Sequence, residues 1–206
     1  MAVDIVLDMT LGDYVVRGLV LASIPVVVVL ACSLCGTLVG GSAKACAGRD
    51  NQHSSGMRAV IQRVLEAAVV VDGREVSRIG VGLLVLLGVA EGDEPGDVAW
   101  LGGKVVKLRI FDDGTGKMNL SVVEIGGEVM VVSQFTLHAS THKGNRPSFI
   151  RAAVPAVSEP LYEAFCAGLE EVTGKVVARG VFGADMKVAL VNDGPVTIVM
   201  DTRMRE

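Results

Sequence analysis

Apolar positions along the chain change period in a regular way from residue 57 onward. From Val60 to Val71 they are β-branched and alternate around Arg63 and Glu66, the two-residue period of a half-buried strand. That run ends at Asp72-Gly73, a strong hairpin signal, and Glu75–Ile79 returns from it. Leu83–Val89 is apolar throughout and bounded by Gly80, Gly82 and Gly88, which predicts a buried strand. Between Pro95 and Ile110 the period becomes helical, with Val98, Leu101, Val105 and Leu108 on one face. Gly102-Gly103 weakens that helix by about 1 kcal/mol per glycine. Asp112-Asp113-Gly114 reads as a turn and Val129–Phe135 as a central strand. A second helix is expected from a Ser158 cap, with Leu161, Phe165, Leu169 and Val172 on its buried face and Gly174 ending it. Strands are expected at Val176–Val181, Lys187–Val191 and Val196–Met200. This order predicts an α/β fold: a single domain over 57–206 whose mixed sheet carries two main helices.

Residues 1–56 have a different pattern. Gly18 to Ala43 contains no charged residue, a length that suffices to cross a bilayer. Asp4, Asp8 and Asp13 precede it against one Arg17, the wrong balance for a signal or transit peptide. Residues 44–56 read as a linker. Three readings of this apolar extension stay open: a mis-assigned start with Met57 as the true one, a membrane anchor or targeting segment, and an apolar element packed on the domain.

Charge and cysteine usage narrow the chemistry. The formal net charge is -4, and the extension holds three Lys/Arg against four Asp/Glu, leaving 16 against 19 in the domain. General nucleic-acid binders carry a basic surplus, so any RNA contact must be a local patch. Cys32-x-x-Cys35 sits in an apolar run without acidic or histidine neighbours, and neither Cys46 nor Cys166 completes a metal set, so no metal is expected. Light cysteine usage suits a reducing compartment. Gly114-Thr115-Gly116-Lys117 lacks the spacing of a phosphate-binding loop. His138 and His142 read as surface or RNA-facing groups ahead of catalytic bases, because a strand end does not bring either back to Ser133.

Two segments stand apart. Ser133-Gln134-Phe135-Thr136-Leu137 lies where the central strand surfaces, and Asn192-Asp193-Gly194-Pro195-Val196-Thr197 places a Gly-Pro bond between two strands. An X-Pro bond is the common place for a cis peptide, and glycine widens the choice of φ. With Met57–Val64, Gly82–Val89, Leu108–Phe111, Lys117–Ser121, Arg146-Pro147-Ser148-Phe149 and Phe182–Lys187 in the same order, the region 57–201 resembles the D-aminoacyl-tRNA deacylases.

The resemblance implies a barrel-like mixed sheet and a cytoplasmic homodimer with active sites near the interface. It also implies a translation quality-control hydrolase that releases the D-amino acid from D-aminoacyl-tRNA, and glycine from mischarged glycyl-tRNA, without a cofactor. Carried onto this chain, Ser133 and Gln134 bind the ester and terminal ribose. The backbone N–H groups at Phe135 and Thr136 stabilise the oxyanion, and the 2′-OH of the terminal adenosine assists attack. Thr136 as nucleophile ranks below that role. Phe182, Ala184 and Met186 line the adenine pocket, and Arg63 steadies the Gly194-Pro195 element. In the family that element enters the partner's site and excludes L side chains. His138, Ser140 and His142 depart from the commoner Tyr, Asp and Arg, and Lys143, Arg146 and Arg151 form a nearby basic cluster. The competing reading is a catalytically inactive tRNA-binding module of the same fold.

Overall fold

The computed structural model describes residues 56–205; the apolar segment 18–43, the C-x-x-C pair and His53 lie outside the described residues. Strand β1 (Arg58–Val71) organises the fold. Along one edge it pairs antiparallel with β3 (Gly82–Gly88) and then with β2 (Arg74–Ile79), joined to it through the Asp72-Gly73 turn. Both turn residues have positive φ, 50° and 74°, as the favoured two-residue hairpin requires. Along its other edge β1 pairs with β8 (Lys187–Asp201), so the sheet wraps towards a barrel. β6 (Glu128–Ser133) lies parallel to β3, and β7 (Ala178–Arg179) parallel to β6. A two-strand ribbon of β4 (Phe111–Asp112) and β5 (Met118–Leu120) stands apart from the main sheet.

The parallel crossovers require connections that cover a sheet face, and the two helices supply them. α1 (Pro95–Lys107) and α2 (Pro155–Thr173) pack on the face that presents Ala59, Ile61, Leu83, Val85, Leu87 and Val131. At Gly102, α1 faces Phe165 and Leu169 of α2, which lie 3.8 and 3.9 Å from where a Cβ would be, an ordinary packing distance. The opposite face, with Val64, Val69, Leu84, Met130 and Val132, fills the wrapped interior.

Several boundaries differ from expectation. α2 begins at Pro155, not at a Ser158 cap; the Ser158 hydroxyl instead donates to the Val154 carbonyl one turn back at 3.1 Å. Proline at the first helical turn gives up an N–H that has no partner there anyway. Gly174 ends the helix at φ 65°, as expected, whereas Val172 is 54% exposed rather than core. Within Val176–Val181 only Ala178–Arg179 is strand. The last two expected strands form one element, β8, whose register against β1 jumps from Asn192↔Val64 to Thr197↔Gln62. The residues between bulge outward opposite Arg63. Among the described residues no helix is long and apolar enough to cross a membrane.

Candidate active site

β6 runs out at Ser133, and the chain turns at once into a 3-10 helix, Phe135–His138. Gln134 caps this turn with extended φ, and its N–H donates to the Leu87 carbonyl at 2.7 Å, tying the turn to β3. Phe135 and Thr136 open the 3-10 helix, so their N–H groups precede any carbonyl the turn itself can offer. The Gln134 side-chain amide donates to Thr136 Oγ1 at 2.5 Å, which leaves its carbonyl oxygen directed elsewhere.

Over this turn opens a cleft of about 520 Å³. Ser133, Gln134 and Phe135 form one wall, and Phe182, Ala184 and Met186 another. Phe149 closes the side, its ring meeting Phe135 edge-on at 5.1 Å between centroids. Tyr162 of α2 makes the floor; its hydroxyl donates to the Val131 carbonyl at 2.9 Å and its ring tilts against Phe182. Burial raises the Tyr162 phenol above its ordinary range and pushes the neighbouring Cys166 thiol up to about 12, so both are neutral and neither is an activated nucleophile.

The second segment lies elsewhere. Gly194-Pro195 is a cis peptide with both residues exposed, at the tip of the β8 bulge, and neither lines the cleft. Arg63, on β1 where the registers part, holds the bulge. Its Nε donates to the Asp193 carbonyl at 3.2 Å and pairs with the Asp193 carboxylate at 2.9 Å, while Nη1 donates to the Ile110 carbonyl. Asn192 ties the base of the bulge, accepting from the Val196 N–H at 2.9 Å and donating to Gln62 at 2.7 Å.

A profile of the family described as D-Tyr-tRNA(Tyr) deacylase matches residues 60–201. The chain belongs to that family. Its relatives include a D-aminoacyl-tRNA deacylase of Bacteroides thetaiotaomicron, 58% identical over 150 residues that span 73% of this chain and all of the relative. A D-aminoacyl-tRNA deacylase of Opitutus terrae is 61% identical over the same shares. Among solved structures, one described as c-Myc DNA Unwinding Element Binding Protein is 39% identical, covers 69% of this chain and 97% of its own, and superposes with a TM-score of 0.66. A probable eukaryotic D-amino acid tRNA deacylase, at 20% identity and TM-score 0.61, shares the fold.

Set against this deacylase family, the expected site residues divide. Ser133, Gln134, Phe135, Phe182, Ala184 and Met186 share one cleft, and Thr136 joins it through Gln134. Arg63, Gly194 and Pro195 form a separate group. His142, Lys143, Arg146 and Arg151 are exposed on the loop that follows the turn. His138 is corrected: it is 1% exposed, buried under the turn rather than facing solvent or RNA. Among the described residues no histidine or carboxylate hydrogen-bonds Ser133 or Thr136. Sequence reasoning missed Phe149, Tyr162 and Arg58, whose Nη1 donates to the Leu137 carbonyl at 2.9 Å. The signal for Phe149 was its place in the Arg146–Phe149 motif, and for Tyr162 its helical spacing with Phe165 and Leu169.

Proposed function

We infer that this protein hydrolyses the ester of D-aminoacyl-tRNA, releasing the D-amino acid and the tRNA. The observation that carries the reading is the turn at Ser133–Thr136, which presents amide and N–H donors to the cleft while, among the described residues, no histidine or carboxylate hydrogen-bonds Ser133 or Thr136. Ester hydrolysis needs stabilisation of the developing oxyanion and a placed attacking oxygen. The N–H groups of Phe135 and Thr136 receive the oxyanion. The Gln134 carbonyl and Ser133 hydroxyl hold the terminal ribose, so that its 2′-OH and a water stand beside the ester carbonyl. Thr136 is a poor nucleophile here, because no base stands beside its hydroxyl. Phe182 and Met186 suit the flat face of the terminal adenine through stacking and soft contact.

Stereochemical selection falls to Gly194-Pro195 of a second copy of the chain. The support is its placement: an exposed, braced loop tip that takes no part in its own cleft. Backbone atoms brought against the substrate α-carbon leave room for hydrogen but not for an L side chain. The D side chain then points outward, so side-chain identity matters little and glycine is accepted. The reading places the protein in the cytoplasm as a homodimer in translation quality control.

The test is deacylation of D-Tyr-tRNA and L-Tyr-tRNA by the full chain and by Gln134→Ala. Cleavage of the D ester alone, lost in the variant, supports the reading. A protein that binds tRNA but cleaves neither ester would instead be the inactive tRNA-binding module.

A further inference from the structure

His138 ends the 3-10 turn and is among the largest fully buried side chains of the protein, yet neither ring nitrogen makes a hydrogen bond. It lies against Gly88, at the end of β3, facing that residue's backbone without closing a hydrogen bond to it. A Cβ on Gly88 would come within 2.9 Å of the Gln134 carbonyl oxygen, 3.0 Å of His138 Nε2 and 3.1 Å of Leu137 Cβ. The turn therefore sits down on the bare backbone of Gly88, with the imidazole as the part that fills the space behind it. Other tethers are single hydrogen bonds, from Gln134 N–H to Leu87 and from Arg58 to the Leu137 carbonyl.

We propose that His138 is a positioning residue for the deacylation: its neutral imidazole wedges the Ser133–Thr136 turn in the pose that aims the Phe135 and Thr136 N–H groups at the ester. The proposal rests on the functional reading above. Charge around the ring reinforces it. Arg58 of β1 and Arg151 of the following loop face the ring with positive charge. Asp201, at the end of β8, faces it with negative charge already engaged by Arg58 at 2.7 Å. A proton on the imidazole would add a further cation to a buried place without a free anion. Burial first, and then the two arginines, hold the histidine below its ordinary 6.5, against opposing contributions from the Gly88 backbone and Asp201. The fold favours the neutral ring, so this contribution is complete above pH 6.5 and is lost as pH falls to the lower folded-state value. Acid should loosen the turn.

The experiment follows imidazole titration and the Phe135 and Thr136 amide resonances by NMR on the full chain. Alongside, single-turnover cleavage of D-Tyr-tRNA is measured from pH 5 to 8 for wild type, His138→Gln and His138→Ala. We expect the ring to titrate below 6.5 and both amides to shift with the same midpoint. Wild-type kcat should fall by about fivefold or more across that midpoint relative to His138→Gln, which cannot be protonated there, with KM nearly unchanged. His138→Ala should lose about tenfold in kcat at every pH, again with little change in KM. A ring that titrates as a surface histidine, amides blind to its titration, or the same acid limb in His138→Gln would overturn the proposal. Wild-type protein inactive on D-Tyr-tRNA at every pH would refute the functional reading, and the amide titration would still decide the positioning claim.

Discussion

The Ser133–His138 turn and the Asn192–Thr197 bulge are both polar interruptions between apolar strands, yet the chain treats them in opposite ways. The turn is folded inward, tied to β3 through Leu87 and to β1 through Arg58, and it forms the wall of a cleft. The bulge is held outward, braced by Arg63 and Asn192 but presenting its Gly194-Pro195 tip to solvent. Braced by those hydrogen bonds and absent from the cleft of its own chain, the tip is placed to meet another molecule, as proposed above. The difference matches the two tasks proposed for them: chemistry at the turn, and at the bulge a screen against the wrong enantiomer.

The strongest way to break that division is at the turn. Gln134→Ala removes the proposed ribose and ester contact, and cleavage of D-Tyr-tRNA should fall by about a hundredfold or more in kcat. Single-turnover kinetics checks this, and the D to L ratio of the residual activity should stay close to wild type.

Gly194→Ala acts on the other half. Its Cβ would stand 2.9 Å from Arg63 Nη2 and 2.9 Å from Val196 Cγ2, on a backbone with φ 120° that an L side chain rarely adopts. The bulge must move, and the ratio of L to D cleavage should rise by about tenfold, measured on matched L- and D-Tyr-tRNA. Arg63→Lys is milder: a lysine keeps the charge near Asp193 but loses the fork that also reaches Ile110. A rise of about threefold in the same ratio, with D cleavage little changed, would sharpen the assignment of Arg63 to the screen.

How much of this the sequence revealed follows from the range of the interactions involved. The Asp72-Gly73 hairpin and the Gly174 helix end are local backbone requirements, and local residues announce them. The helical face of α1 was legible from its period, and Gly102-Gly103 did not prevent the helix because the pairing with α2 supplies its stability. The cleft walls came from ordered motifs shared with a known family rather than from periodicity. The burial of His138 was invisible. It depends on Gly88, fifty positions earlier in the chain, leaving open the space that the ring fills. The Arg63–Asp193 brace is likewise a contact across 130 residues, and only the family resemblance pointed to it.

A control site away from both segments has the smallest effect. Asp93 is buried near Asp97, and burial raises its carboxyl to about 6, helped by the Asp97 charge and opposed by the Ala90 N–H and Arg203. Because the fold favours its protonated form, that contribution is present below 3.8 and is lost as pH rises through about 6. Asp93→Asn should therefore raise thermal stability above pH 7 by about 1 kcal/mol, with the gain shrinking towards pH 4. Neither the rate nor the L to D ratio should change, and thermal melts paired with the tRNA assay check both.

The central claim is that the turn of one chain works with the bulge of another, and subunit mixing tests it most directly. Gln134→Ala removes the turn's side-chain amide, and Gly194→Trp puts a bulky side chain on the bulge that would fill the neighbouring cleft. Each variant alone should be inactive on D-Tyr-tRNA. Refolded together, half of the dimers carry one site with both parts intact, and activity should return to roughly a quarter of wild type with the D preference restored. If the mixture stays as inactive as its components although mixed dimers form, the turn and bulge of a site come from the same chain, and the division of labour argued from their placement is wrong.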